Sequence, residues 1–315
     1  MAKSLALHGV MPAIVTVFKP DGSLDLDGTS RYLERVLSLP GVTGILCGGY
    51  TGEGSALSRS EKCDLIGASK RLTDGRVPLI AGIDAPSLNS AIEAGVDARE
   101  SGADAIQVNS PYYGLLRRGF VNNAEVTTRF FSDLDAAVGL PMTVFQYPTW
   151  SGLTYPVDTL RALADMDNVV GIKEAVDMDT YVADWNSLHG KVPLLADNNT
   201  YTLLSMLLLG AEGTMVGIAN VGTELYIELF AMCERGDRAG AVDLTNQRLL
   251  PLMEAFARDL GRSRSSFVAR VKAALVELGL IASDAVRGPD LPATDEDRGS
   301  VRAALAAAGL AGGSA

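Results

Sequence analysis

Histidine and cysteine are both scarce in this chain of 315 residues, which has two histidines and three cysteines. Cys47, Cys63 and Cys233 are odd in number, far apart and never spaced as Cys-x-x-Cys. Neither a disulfide framework nor a thiolate zinc site is therefore predicted, and we expect a reducing cytoplasm. Because only His8 and His189 are present, a histidine triad or a histidine-based metal centre is also disfavoured.

Positive charge and long apolar runs are lacking as well. The 27 basic residues are outnumbered by 38 acidic ones, and this net charge of −11 argues against broad attraction to nucleic acid or an anionic membrane. No stretch reaches the roughly 18 uninterrupted apolar residues of a membrane span. The early apolar run is broken by Pro12 and lacks a small-residue cleavage pattern, so we expect a first strand there. The partner is expected to be a small molecule or another subunit.

Eight short runs of strand-forming residues recur along the chain, at 12–18, 44–49, 78–83, 105–109, 142–147, 169–173, 192–196 and 213–218. Each run is nearly all apolar, as is typical of parallel strands covered on both faces. Segments with helical periodicity separate them, for example 58–72, 87–102 and 156–166. Ser58 and Glu61 have the spacing of a capping box, and Pro156 suits a first helical turn.

This alternation predicts an α/β fold, a (β/α)₈ TIM barrel formed by residues 1–223. Two Rossmann-like halves are the alternative, disfavoured because no Gly-x-Gly-x-x-Gly follows the first run. Residues 224–315 are expected to supply the closing helix and a C-terminal helical extension, with continuous helix from 224 to about 280. The low-complexity tail is expected to fray after a last helical turn.

In such a barrel, chemistry is located where the strands end. Lys173 ends the sixth run, "VVGIK". Burial disfavours the charged form of an ammonium, and the neutral amine can attack a carbonyl, so Lys173 is a candidate for a Schiff base that acts as an electron sink. Two simpler interpretations stay open, in which Lys173 extends to solvent or pairs with Glu174.

Two further candidates accompany this lysine. Tyr147 ends the neighbouring fifth run and is expected to relay protons, although a tyrosine beside a proline is often structural. The loop "GGYTGEG" offers backbone N–H groups from Gly49 onward and the hydroxyls of Tyr50 and Thr51, a cradle for a carboxylate. It does not suit a nucleotide, because no Lys-Ser/Thr follows the glycines.

The acidic residues near strand ends lie in different loops without metal-ligand spacing; they are Asp84, Glu174, Asp177 and Asp197. No metal and no cofactor is therefore predicted, and a metal-dependent barrel aldolase is kept only as an alternative.

Taken in order, the motifs resemble the dihydrodipicolinate synthase and N-acetylneuraminate lyase family of lysine-dependent aldolases. The resemblance runs from about residue 8 to residue 292. It is carried by "GVMPAIVTVF" with "DGSLD", "GGYTGEGSALSRSEK", "VNSPYYG", "FQYPTWSG", "GIKEA", "VKAALVELGLI" and "VRGPDLPAT".

The resemblance implies that Lys173 forms an imine with a 2-oxo acid, namely pyruvate or a pyruvate-derived compound. It implies that Tyr147 relays protons and that Thr51, with its loop amides, holds the substrate carboxylate. Tyr113 would reach across a tight dimer interface into the neighbouring site, with Tyr112 packed at that interface. A homotetramer built as a dimer of dimers is the expected assembly.

Two positions depart from the family pattern. Tyr50 stands where the family has threonine or serine linking two tyrosines in a proton wire, so either Tyr50 replaces a tyrosine or water carries the relay. Trp150 stands where the authentic synthases have an arginine that binds the second substrate's carboxylate, and an indole cannot replace that clamp. A second substrate that is less charged or aromatic suits the indole of Trp150 better. Met215, near the end of the eighth run, lines this pocket or belongs to the core.

The sequence thus predicts a Schiff-base-forming lyase, an aldolase or dehydratase, that acts on pyruvate or a pyruvate-derived 2-oxo acid. Two alternatives remain: 4-hydroxy-tetrahydrodipicolinate synthase, which combines pyruvate with aspartate semialdehyde, and a non-catalytic relative that only binds a 2-oxo acid.

Overall fold

The computed structural model describes residues 5–84, 87–109, 122–148, 154–257 and 265–311. Within these ranges, eight strands form one parallel sheet in the order β1-β8-β7-β6-β5-β4-β3-β2. Their bounds are β1 Gly9–Val10, β2 Ile45–Cys47, β3 Leu79–Ile83, β4 Ala105–Asn109, β5 Met142–Gln146, β6 Val169–Glu174, β7 Leu194–Ala196 and β8 Gly213–Thr214.

The two edges of this sheet meet and close a barrel. Parallel bridges join Val10 to Val42 and Ala13 to Leu46, and the Ile14 amide donates to the Leu46 carbonyl at 2.9 Å. Since the first and last strands of the order are joined in this way, the predicted (β/α)₈ barrel is confirmed.

Helices follow the strands and form the outer layer, and further helices form the C-terminal part of the chain. They are α1 Leu26–Leu37, α2 Arg59–Thr73, α3 Leu88–Glu100, α4 Ala124–Val138, α5 Val157–Ala164, α6 Met178–Leu188, α7 Thr202–Leu209, α8 Thr223–Glu234, α9 Arg238–Leu244, α10 Leu250–Ala257, α11 Phe267–Glu277 and α12 Asp295–Ala307. The predicted capping box begins α2, because the Ser58 hydroxyl accepts from the Glu61 amide while the Glu61 carboxylate accepts from the Ser58 amide. Pro156 immediately precedes α5.

Two predicted elements differ in the structure. The first strand is Gly9–Val10, which lies before the expected run 12–18. Within that run the Ile14 amide still donates to the Leu46 carbonyl, but the Val15 amide donates to Asn220 Oδ1 and the Val17 amide donates to Thr29 Oγ1. The helix expected to run unbroken from 224 ends with α8 and restarts at Arg238. Gly236, with a φ of 76°, supports the turn between them.

Apolar side chains fill the barrel interior, and we call this set the interior cluster: Leu7, Met11, Ala13, Leu46, Ile80, Ala105, Leu195 and Met215. A methyl on Gly171 would touch Leu7 and Leu195 of this cluster, so position 171 of β6 faces inward. Because side chains alternate along a strand, Lys173 also faces inward. Among the described residues, no helix is both long and apolar enough to cross a membrane.

Candidate active site

Lys173 lies inside the barrel near the carboxyl end of β6 and is only 4% exposed. Its Nζ lies 3.1 Å from Asp197 Oδ2. Asp197 directly follows β7, which pairs with β6, and it is 8% exposed. The Phe145 ring of β5 also contacts the ammonium, with its centroid 4.1 Å from Nζ. The lysine is thus enclosed by one carboxylate and one aromatic face.

Burial acts in opposite directions on the two charged groups of this pair. Burial lowers the pKa of Lys173, and the nearby Asp197 carboxylate opposes that shift. Burial raises the pKa of Asp197, and the Lys173 ammonium opposes that shift. The burial of each group therefore favours its neutral form, which narrows the free-energy gap between the ion pair and a neutral amine with a neutral acid.

Neither simpler interpretation of Lys173 matches this geometry. The side chain does not extend to solvent, and its ionic partner is not Glu174. Because successive side chains of a strand point to opposite faces, Glu174 points into the helical layer. There the Gln146 side-chain amide donates to Glu174 Oε2 at 2.7 Å and to Asp184 Oδ2 of α6 at 2.8 Å.

Three aromatic rings lead away from the lysine. Phe145 packs against Tyr147 with ring centroids 5.4 Å apart, and Tyr147 meets Tyr50 edge to face at 6.3 Å. The structure therefore brings together the two tyrosines that the sequence proposed for the site. Burial raises the pKa of the Tyr50 phenol above its usual value, and Asp290 and Glu53 add to that shift.

Phe145 was not among the residues proposed from the sequence, although a signal for it exists. It precedes Tyr147 by two residues, so both side chains share one face of the chain. It also pairs in register with Lys173 across β5 and β6. That pairing places the Phe145 ring over Nζ, while Tyr147 lies two residues further toward the carboxyl end of the chain.

The loop after β2 packs closely against two glycines, Gly82 of β3 and Gly217 beyond the end of β8. Thr51 is 5% exposed. A methyl group on Gly217 would lie 2.2 Å from Thr51 Oγ1, and one on Gly82 would lie 2.6 Å from the Gly49 Cα. The Gly52 carbonyl accepts from Thr16 Oγ1 at 2.7 Å. Thr51 and Gly49 thus take their places because Gly217 and Gly82 have no side chains.

A buried ion pair fixes the same loop to the C-terminal helices, and no sequence pattern predicted it. Glu53, with a left-handed φ of 50°, contacts the Lys272 ammonium of α11. Lys272 also donates to the Ala285 carbonyl at 2.9 Å, and its Nζ lies 4.3 Å from the Phe18 ring centroid. The Arg287 amide donates to Glu53 Oε1 at 2.9 Å. We call these contacts the Glu53 anchor.

A cavity of about 310 Å³ lies beside the Lys173 pair. Its lining includes the side chains or backbone of Tyr147, Val176, Asp197, Asn198, Asn199 and Thr200. The cavity is therefore bounded both by a proposed proton-relay tyrosine and by the carboxylate that holds the lysine. It has the size of a site for a small substrate.

The other proposed residues stand as follows. Met215 is fully buried in the interior cluster. Trp150, Tyr112 and Tyr113 lie outside the described residues. Within the part of the chain that the structure describes, no three His, Cys, Asp or Glu side chains are grouped so that they could hold a metal ion.

Residues 6–308 match the family model described as the Dihydrodipicolinate synthetase family. The chain belongs to this family. A 4-hydroxy-tetrahydrodipicolinate synthase of Bartonella bacilliformis is 30% identical over 309 residues, which are 96% of this chain and 99% of that protein. A protein of Halobacterium salinarum named as an uncharacterized DapA-like lyase is 32% identical over 308 residues, 97% of this chain and 95% of that protein.

Solved structures agree with this assignment. The chloride-inhibited dihydrodipicolinate synthase of Acinetobacter baumannii, complexed with pyruvate, superimposes with a TM-score of 0.86 at 30% identity and covers 97% of this chain and 100% of that chain. The dihydrodipicolinate synthase of Thermotoga maritima gives a TM-score of 0.86 at 27% identity, with coverages of 98% and 100%. The chain is therefore a Schiff-base-forming, pyruvate-dependent lyase of the dihydrodipicolinate synthetase family.

Proposed function

We propose that the lyase forms its imine on Lys173 and catalyses aldol cleavage, aldol addition or dehydration of a pyruvate-derived 2-oxo acid. The observation that carries this proposal is a lysine 96% withdrawn from solvent at the carboxyl end of β6, beside a cavity large enough for such a substrate. Burial lowers the pKa of Lys173, which favours the nucleophilic neutral amine.

The remaining site residues take roles around that bond. Thr51 and the loop amides from Gly49 onward hold the substrate carboxylate, which fixes the 2-oxo carbon against Nζ. Tyr147 moves a proton from nitrogen to oxygen in the carbinolamine, and Tyr50, in edge-to-face contact with it, continues the relay. Tyr113 completes the relay from the neighbouring subunit. Loss of water or cleavage of a carbon–carbon bond then leaves an enamine stabilised by the iminium.

The second substrate or leaving group separates two versions of this function. Trp150 stands where the authentic synthases have an arginine, and an indole cannot clamp a carboxylate as a guanidinium does, so we propose a partner that is less charged than aspartate semialdehyde. Several relatives are named 4-hydroxy-tetrahydrodipicolinate synthase, which keeps that activity as the second candidate. Turnover of pyruvate with aspartate semialdehyde distinguishes the two.

The assembly is proposed to be a homotetramer that is a dimer of dimers. Tyr113 needs this arrangement, because its role requires a neighbouring site. One similar protein is described as a monomeric dihydrodipicolinate synthase variant, so the assembly has to be measured for this chain. The three free cysteines suit the reducing cytoplasm that we propose as its location.

Borohydride trapping tests the proposed function. Incubation with pyruvate, or with a panel of longer 2-oxo acids, followed by reduction should add the mass of the reduced adduct to one peptide, the one that contains Lys173. Lys173→Ala should abolish the adduct, and Lys191→Ala, which removes an exposed lysine, should not. If the native protein gains no mass with any acid of the panel, the imine mechanism is wrong.

A further inference from the structure

Imine formation needs both a base and an acid beside the lysine. The ammonium must lose a proton before its nitrogen can attack, and the carbinolamine hydroxyl must gain one before it leaves as water. Tyr147 is proposed to move a proton from nitrogen to oxygen, which leaves these two other proton transfers without a residue. Asp197 contacts Nζ directly at 3.1 Å and has no role yet.

We propose that Asp197 is a catalytic acid–base residue of the lyase, which takes the proton from the Lys173 ammonium and returns it to the hydroxyl that leaves as water. This assignment rests on the proposed imine at Lys173. It adds to that proposal the group that prepares the nucleophile.

Lys173 and Asp197 together account for every proton in this step. Proton transfer from Lys173 to Asp197 leaves a neutral amine and a neutral carboxylic acid. The amine nitrogen then bonds to the 2-oxo carbon, and the carbonyl electron pair goes to its oxygen. After the relay has moved one proton from nitrogen to that oxygen, Asp197 protonates the hydroxyl, the carbon–oxygen bond breaks and water departs. The nitrogen lone pair forms the protonated imine, whose positive charge faces the restored Asp197 carboxylate.

The backbone fixes Asp197 for this task. Its amide donates to the Glu174 carbonyl of β6 at 2.8 Å, so the residue is held to the strand that carries Lys173. Its side chain is nearly buried, yet it borders the cavity that the substrate would enter. The Phe145 ring, whose centroid lies 4.1 Å from Nζ, has no hydroxyl to accept a proton.

The charged surroundings make this transfer accessible. Burial raises the pKa of Asp197 and lowers the pKa of Lys173, while each group opposes the shift of the other. The titratable groups around the pair are Tyr147 at the end of β5 and Asp177 at the start of α6, which border the same cavity, and Glu174, which points into the helical layer. When substrate displaces water from the cavity, the ion pair loses solvation and the neutral pair is favoured further.

The rate of imine formation tests the assignment. Quench-flow with pyruvate and borohydride would be applied to the native protein, Asp197→Asn, Asp197→Glu and Asp197→Ala. Asp165→Asn is the matched control, because it removes a carboxylate from the exposed Lys191–Asp165 pair, 3.8 Å apart, on the same barrel. Thermal unfolding of each variant checks that it folds.

We expect Asp197→Asn to slow imine formation about 100-fold, a typical contribution of acid–base catalysis, while the adduct still forms slowly on Lys173. The native rate should fall at both low and high pH, because the active pair holds one proton. The rate of imine formation in Asp197→Asn should instead only rise with pH, since the neutral amine is then the sole active form. Asp197→Glu should keep the two-limbed profile, and formate should partly restore Asp197→Ala.

Three results would overturn the assignment. One is an Asp197→Asn rate within threefold of the native rate with an unchanged pH profile, while Lys173 is still trapped. Another is an Asp197→Ala variant that folds and is slow but does not respond to formate. A native protein that traps no 2-oxo acid would instead refute the imine itself, and the role of Asp197 would fall with it.

Discussion

At the scale of single residues, Lys173 must be stable as a buried ammonium and must also become a neutral amine. A resting enzyme must keep a buried ammonium stable, and the Asp197 carboxylate at 3.1 Å does this. A reacting enzyme must release the neutral amine, and burial of both groups favours that form. The charge of Asp197 therefore holds the ammonium in the resting state, while the burial of both groups lowers the free-energy cost of the neutral pair that the proposed imine chemistry needs.

Gly217 gives a prediction at this scale. A methyl group there would lie 2.2 Å from Thr51 Oγ1, so Gly217→Ala must displace the side chain proposed to hold the substrate carboxylate. We expect KM for pyruvate to rise about tenfold or more, the cost of losing a hydrogen bond to a charged group, with a smaller change in kcat. Steady-state kinetics measure both constants.

Gly299→Ala is the control, because no atom within 4 Å would meet the added methyl and the position lies inside α12. It should leave KM unchanged and stabilise the helix by up to about 1 kcal/mol. An unaltered KM in Gly217→Ala would refute the role of Thr51.

Individual site residues could be predicted from the sequence only in part. Lys173 and Tyr147 were identifiable because each ends an apolar run, and a barrel places such residues at one mouth. Asp197 follows the seventh run in the same way, but nothing in the sequence separates it from Asp84 or Asp177. Its selection depends on the pairing of β6 with β7 and on which side of each strand faces inward.

At the scale of elements, a pair of carboxylates lies on the outer side of β6, the strand that carries Lys173. Gln146 of β5 bridges Glu174 of β6 and Asp184 of α6, and its Oε1 accepts from the Tyr155 amide at 3.1 Å. This bridge joins two strands, a helix and the end of the segment that follows Tyr147. It therefore supports the position of β6 from outside the barrel.

The pair predicts a pH dependence of stability. Burial raises the pKa of Asp184 to about 6, and burial together with Asp184 raises the pKa of Glu174 well above its usual value. The folded state therefore binds more protons than the unfolded state, and the free energy of unfolding falls as pH rises through these pKa values. From pH 5 to pH 8 we expect a loss of at least about 1 kcal/mol.

Urea unfolding across this pH range measures that loss. Asp184→Asn should make the slope shallower, because an amide cannot titrate and only Glu174, whose pKa burial still raises, then contributes. Asp158→Asn, in an exposed pair with Arg161, should keep the native slope. Equal slopes in the native protein and Asp184→Asn would show that the pair does not hold an extra proton.

The Glu53 anchor explains why the helices beyond the barrel matter for its mouth. Lys272 of α11 is fully buried, and its partner Glu53 belongs to the loop that carries Thr51. Lys272→Met should destabilise the protein by about 3–5 kcal/mol, because it leaves the Glu53 charge buried without its partner. The double variant Glu53→Gln with Lys272→Met should recover much of this loss.

Chemical denaturation measures these differences. Arg302→Gln, which breaks the more exposed pair between Arg302 and Glu277 at 2.9 Å, should change the free energy of unfolding by about 0.5 kcal/mol or less. If Lys272→Met were no more damaging than Arg302→Gln, the anchor would not hold the loop.

Element type was more predictable than element length. Seven of the eight strands overlap the expected runs, because those apolar runs reflect burial on both faces. The first strand, Gly9–Val10, lies before the expected run 12–18, and within that run the Asn220 and Thr29 side chains accept from the amides of Val15 and Val17. Asn220 is more than 200 residues away in the chain, and no local pattern reports such a contact.

At the scale of the whole molecule, a closed barrel brings the ends of β5, β6 and β7 together from separate parts of the chain. Lys173 contacts Asp197, and Tyr147 borders the same cavity as Asp197, because these strands are neighbours. The glycine loop after β2 extends to the same end of the barrel, where Tyr50 contacts Tyr147. The site thus depends on closure of the barrel.

The proposed assembly gives a prediction at this scale. If Tyr113 serves the neighbouring site, Lys173→Ala and Tyr113→Phe subunits should each have little activity alone but restore activity when mixed and reassembled. Random pairing would rebuild about a quarter of the native sites, since half the dimers are mixed and each has one complete site. Mixed samples no more active than their components would place Tyr113 outside the neighbour's site.

The measurement that tests the central claim most directly is a crystal structure of the enzyme with pyruvate at neutral pH. We predict continuous density from Lys173 Nζ to the 2-oxo carbon, a carboxylate bound at Thr51 and the loop amides, and Asp197 beside the new imine nitrogen. Pyruvate bound elsewhere, with the Lys173–Asp197 ion pair intact and no covalent bond, would contradict the account.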